Sequence, residues 1–212
     1  MGAGGDLEKK SLQGKLTSYD ATEADLTVPP KRAYLVFFDS TDLHWCPDVG
    51  KAWGLLGEQR KVDSPGVENP WCALFGSLLY PTGEGLYTMH ERKRHQEVAV
   101  HLELLLAWNP EAFWFVVMDN APAHTTPQLE NFWETHKERI EPVFLPTYSP
   151  HLNFIERLWG FMRGEMTRNQ FYESLPAECQ AIVEWLETLP FSRFCSLMGI
   201  EEAELIFVIE NY

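Results

Sequence analysis

Apolar residues along the chain come in short, bunched runs broken by glycine, proline and polar residues. That is the pattern of buried strands rather than of long amphipathic helices. Residues 34–38, YLVFF, form the first run and end at Asp39. Residues 52–57 and 59–62 read as short strand pieces broken by glycine. Residues 71–80, WCALFGSLLY, form a second strong strand; a PTGEG turn follows, and residues 86–89, LYTM, return as its hairpin partner. Residues 113–118, FWFVVM, stop abruptly at Asp119-Asn120, and residues 142–145 make a short strand. Val98, His101, Leu102, Leu105 and Leu106 recur at helical spacing, which predicts a helix over 96–108 stopped by Asn109-Pro110. Thr126 is suited to cap a helix over 127–137 that has Pro127 in its first position. Further helices are expected over 153–166, 177–188 and 201–210. Neighbouring strands at the start suit hairpins and the later alternation suits parallel pairing, so the expected fold class is α/β, a mixed central sheet flanked by helices. Residues 1–30 are polar and end in VPP; they read as a linker or short helix ahead of one domain over 31–212.

Composition narrows this picture. With 212 residues, 45% of them hydrophobic, the chain can bury a core of its own. No apolar run approaches the roughly 20 residues needed to span a bilayer, and the N-terminal stretch lacks the apolar segment of a signal peptide. A membrane partner is therefore not expected. Cys46, Cys72, Cys179 and Cys195 are scattered with no CxxC pair, which suits reduced thiols and a cytoplasmic location. The net charge of −14 disfavours a free-standing, non-specific DNA binder. It leaves room for a nucleic-acid enzyme, because metal-binding carboxylates add to the acidity and another module can deliver the DNA.

Three carboxylates stand at expected element ends: Asp39 and Asp119 after strands, Glu156 on a helix. Magnesium favours a few such hard oxygen ligands, with water and phosphate completing its shell. Two ions about 3.5–4 Å apart can serve both the attacking and the leaving oxygen of a phosphodiester. Singly, each residue has a plain alternative, Asp119-Asn120 as a turn and Glu156-Arg157 as a solvated helix face. Asp42 rivals Asp39 if the first strand runs on. His90 and His95 are one residue too far apart for a zinc-binding HExxH, and Gly83 and Gly85 belong to the hairpin turn.

The segments FFDS, WGLLGEQ, ALFGSLLYPTGE, VVMDNAPAH and LPTYSPHLNFIERLW occur in that order. In this the chain resembles the DDE transposases of the mariner superfamily, most nearly the bacterial insertion-sequence branch, over residues 34–168. The resemblance implies an RNase H-like fold with Asp39, Asp119 and Glu156 as a metal-binding triad for two Mg2+ ions, for which Mn2+ can substitute. It also implies cleavage of DNA at transposon ends, transfer to target DNA, and a homodimer assembled on that DNA. Such an enzyme works in the cytoplasm, on the nucleoid when bound. Two departures stand out: Ser40 follows Asp39 where the family often has Glu, and Phe154 replaces a frequent proline. The helix-turn-helix modules usual in the family are expected to be separate or missing. His124 is expected either to contact a phosphate or orient a water, or simply to hold its loop. Asn120 and Asn153 are expected to tie the active-site loops together. Tyr148 and Ser149 would line the DNA path or form only a turn, and Arg157 and Arg168, on the Glu156 helix or just past it, would meet phosphate. The alternatives are a non-catalytic, transposase-derived protein that binds DNA or a partner, and a stand-alone RNase H-like nuclease.

Overall fold

The structure, a computed structural model, describes residues 32–200 apart from 52, 54, 58–60, 65, 67 and 148. The expected segment over 1–30, the expected helix over 201–210 and Tyr148 lie outside the described residues, as do several residues of the strand pieces expected over 52–62.

Among the described residues, five strands form one sheet in the order β3-β2-β1-β4-β5. β1 (Ala33–His44) pairs antiparallel with β2 (Trp71–Tyr80), which pairs antiparallel with β3 (Gly85–His90). On its other side β1 runs parallel to β4 (Phe113–Met118), and β4 parallel to β5 (Ile140–Phe144). This is the mixed sheet expected from the order of hairpin and alternating elements. Helices α1 (His95–Trp108) and α2 (Pro127–His136) cover one face. Helices α3 (Phe154–Met162), α4 (Leu175–Glu187) and α5 (Phe191–Met198) cover the other.

The two-residue period of β1 sorts its side chains between the two cores. Val36 and Phe38 pack with Phe75, Leu102 and Trp114 under α1, while Phe37 and Leu43 pack with Leu74, Ile155 and Trp159 under α3. The α1 core holds a buried polar cluster around His101. His101 is fully buried, and its two ring nitrogens meet Ser77 Oγ at 2.9 Å and Thr88 Oγ1 at 2.7 Å. Both ring positions are satisfied, and burial holds the imidazole neutral, with its pKa lowered to about 3.

Several elements differ from expectation. β1 does not end at Asp39 but continues to His44, because β2 pairs with it along that whole length. Among the described residues of 45–70 there is no strand, only an isolated bridge between Asp48 and Arg168. The helix carrying Glu156 is regular as far as Met162 and then widens into a π turn over Arg163–Thr167. A short helix, α5, occupies Phe191–Met198, where none was expected; Pro190 precedes it and Gly199 ends it in the left-handed conformation, at φ 68°.

Candidate metal centre

Asp39 sits in the middle of β1, on the face that α3 covers. Its neighbour across the β1–β2 ladder is Gly76. A Cβ at Gly76 would lie 2.7 Å from Trp159 Cη2 and 2.8 Å from Ile155 Cδ1. The absent side chain lets the first two turns of α3 press against the sheet beside Asp39, and Glu156 follows Ile155 in that helix. The apolar stripe Ile155, Leu158, Trp159 and Met162 is buried, which leaves Glu156 on the exposed side of the first turn.

The helix start is anchored separately. Asn153 is buried and donates from Nδ2 to the Phe38 carbonyl at 3.0 Å, one residue before Asp39. The Glu156 amide donates to the Asn153 carbonyl at 3.1 Å. A single amide side chain thus couples the backbone leading into Asp39 to the backbone leading into Glu156.

Asp119 follows the fully buried strand β4 directly. His124 Nδ1 lies 2.8 Å from Asp119 Oδ1, and the Ala121 amide donates to the same oxygen at 3.1 Å. Both bonds favour the ionised carboxylate, with the His124 bond the largest influence, and its pKa is lowered. They engage Oδ1 and leave Oδ2 for a ligand. His124 itself is buried against the Phe38 ring at 5.4 Å, so the ring that fixes Asp119 rests on the residue before Asp39. Asn120 donates to the Leu145 carbonyl and so ties the end of β4 to the end of β5.

The three carboxylates come from remote parts of the chain and act on one another. Asp39 has its pKa raised from 3.8 to about 7, first by burial, then by Glu156, with a smaller contribution from Asp119. Such mutual repulsion is what a bound cation relieves, and three carboxylates are the hard oxygen donors that Mg2+ prefers. No three His, Cys, Asp or Glu side chains among the described residues close tightly enough to hold an ion alone. Water and phosphate oxygens would complete such a shell.

Asp42 is not part of this group. Three residues along the strand from Asp39, it falls on the opposite face, and its carboxylate pairs with Lys93 Nζ at 2.9 Å. Ser149 opens the turn before α3, its carbonyl accepting from the Leu152 amide at 3.1 Å. Arg157 points away from the carboxylates: Nη1 donates to the carbonyls of Leu197 at 3.1 Å and Met198 at 3.2 Å, at the C-terminal end of α5. Arg163 bonds Thr41 Oγ1. Sequence reasoning missed Gly76, since nothing around it in ALFGSLLY shows that an indole will press there.

Residues 34–177 match the DDE superfamily endonuclease family. The 39 kDa protein of insertion element IS630 from Shigella sonnei is 29% identical over 159 residues, which is 74% of this chain and 46% of that protein. The chain thus spans about half the length of that relative. The solved Mos1 transposase paired-end complex with the left transposon end has a TM-score of 0.63 at 17% identity, covering 91% of this chain and 57% of that one. The Mos1 mariner paired-end complex with Mn has a TM-score of 0.62 at 17% identity, with 91% and 57% covered. At these identities the likeness is one of fold, and the fold is the expected RNase H-like one. No helix among the described residues is long and apolar enough to cross a membrane.

Proposed function

Because the chain belongs to the DDE superfamily endonucleases, we propose that it is the catalytic domain of a DNA transposase, with Asp39, Asp119 and Glu156 as its metal-binding triad. The observation that carries this reading is the placement of the carboxylates, with Asp39 on β1, Asp119 at the end of β4 held by His124, and Glu156 in the first turn of α3, whose start Asn153 ties to the Phe38 carbonyl beside Asp39. Their mutual influence raises the Asp39 pKa. A strand, a strand end and a helix start bring three carboxylates into one electrostatic group.

Mg2+ is the ion we assign, two per site, with Mn2+ as a substitute. When bound, such a pair serves the attacking and leaving oxygens of an in-line displacement at phosphorus. The protein's share is positioning. Asp39 is held by the β1–β2 ladder, two residues beyond the last β1–β4 pair. Asp119 is oriented by His124 and offers Oδ2. Glu156 is set by the Asn153 anchor and by the seat of α3 on Gly76. No side chain here is assigned as a nucleophile. Water hydrolyses the phosphodiester at the transposon end, and the freed 3′-hydroxyl attacks target DNA in a second displacement.

DNA is the partner, as transposon end and as target, approaching past Ser149 where β5 leads into α3. We assign a homodimer on DNA, a helix-turn-helix module supplied outside the described domain, and a cytoplasmic location on the nucleoid. The test is nicking of a plasmid carrying the element's ends in Mn2+, with the helix-turn-helix module present. The parent should nick, and Asp119→Asn should fall to background. A variant that nicks at the parent rate would remove the mechanism.

A further inference from the structure

On the α3–α5 face, away from the carboxylates, two thiols meet. Cys72 Sγ and Cys179 Sγ lie 3.1 Å apart, although 107 positions separate them in the chain. Secondary structure sets this meeting. Cys72 is the second residue of β2 and pairs with Leu43 on the face that points to the helices. Cys179 lies on α4 three and seven residues before the buried Ile182 and Leu186, so it shares their sheet-facing stripe. A third sulfur, Met89 Sδ, is 3.9 Å from Cys72 Sγ. Both thiols are half-buried, within reach of a small oxidant.

We propose that Cys72 and Cys179 are a modification site: a dithiol that hydrogen peroxide converts to a reversible intramolecular disulfide, stapling α4 to β2. A disulfide needs the sulfurs at about 2.05 Å, so they must approach by about 1 Å, within the range of small side-chain rotations. The Cys72 thiol releases its proton and its sulfur attacks one peroxide oxygen; the O–O bond breaks, the departing hydroxide takes up that proton and leaves as water, and Cys72 is left as a sulfenic acid. The Cys179 sulfur then attacks the Cys72 sulfur; its proton goes to the departing hydroxyl, and a second water leaves. Two thiols and one peroxide give one disulfide and two waters, each sulfur losing one electron. The hydrogen bond shared by the two thiols lowers the Cys72 pKa, which favours Cys72 as the attacking sulfur.

The test uses the full chain carrying Cys46→Ser and Cys195→Ser, so that only this pair can react. It is treated with hydrogen peroxide, quenched with N-ethylmaleimide and read by intact mass and peptide mapping. The expected product has lost two hydrogens, takes up no maleimide and gives a Cys72–Cys179 linked peptide. Dithiothreitol reverses it, and Tm is higher by about 5–10 °C in the oxidised form because a long loop has been closed. In the parent, with all four cysteines, the same linked peptide should dominate, which guards against a variant that folds poorly. Two maleimides added after peroxide, or a gain of oxygen without the link, would overturn the proposal.

Discussion

Asp39 faces Gly76 across the β1–β2 ladder, and the indole of Trp159 fills the space a side chain at position 76 would occupy. Gly76→Ala should therefore act on two levels. Its Cβ would sit 2.7 Å from a ring atom of Trp159, which is 1% exposed and has nowhere to move. Overpacking of this kind costs about 1–3 kcal/mol, read as a lower melting temperature. Lifting α3 also displaces Glu156, so affinity for Mn2+ should fall with stability. A variant with parent stability and parent affinity would show that the contact does not position the helix.

The proton on Asp39 provides a second prediction. Its folded pKa is raised from 3.8 to about 7. In metal-free protein the folded state therefore holds a proton over that window that the unfolded state has released. The contribution to stability is complete below the unfolded value and is lost as pH rises through about 7. Asp39→Asn should match the parent near pH 4 and exceed it near pH 8 by about 2–4 kcal/mol in urea denaturation. Ion binding displaces the same proton, so Mn2+ affinity should climb between pH 6 and pH 8. Parallel pH profiles for parent and variant would contradict the assignment.

His124 anchors Asp119 from the protein side. Loss of such a supporting hydrogen bond typically costs about 10–100-fold in metal affinity. His124→Ala should show a loss of that size by calorimetry, with the Asp119 pKa returning toward the ordinary carboxylate range. An unchanged affinity would reduce His124 to a packing residue.

Arg157 was expected at phosphate, yet its guanidinium donates to two carbonyls at the end of α5. Arg157→Met should destabilise the chain by about 1 kcal/mol through loss of this cap. The salt dependence of DNA binding should not change, whereas a lost phosphate contact would lower the slope by about 0.9.

Much of this arrangement can be read from the chain, and the remainder has identifiable physical causes. FWFVVM followed by Asp119 reads correctly because a continuous apolar run followed by DNAPAH has one plausible end. β1 misleads because Asp39 interrupts an apolar run. Only the partner strand reveals that Thr41 and Leu43 carry the alternation onward to His44. Helix α5 is eight residues long and begins after Pro190, too short for a periodic signal. Asn120 donates to the Leu145 carbonyl and Asn153 to the Phe38 carbonyl, partners remote in sequence that no local pattern names. Gly76, and the thiol contact between Cys72 and Cys179, depend on packing between elements remote in sequence, which no local pattern encodes.

If Asp39, Asp119 and Glu156 form one metal site, losing any one of them weakens binding of the ion. The most direct test is a calorimetric titration of Mn2+ into the full chain near pH 8, with and without an oligonucleotide of the transposon end, alongside Asp39→Asn, Asp119→Asn, Glu156→Gln and Asp42→Asn. The account predicts binding in the parent that DNA strengthens, that each of the first three substitutions weakens, and that Asp42→Asn leaves unchanged. No binding even with DNA, or loss with Asp42→Asn while Asp39→Asn binds as the parent does, would contradict it.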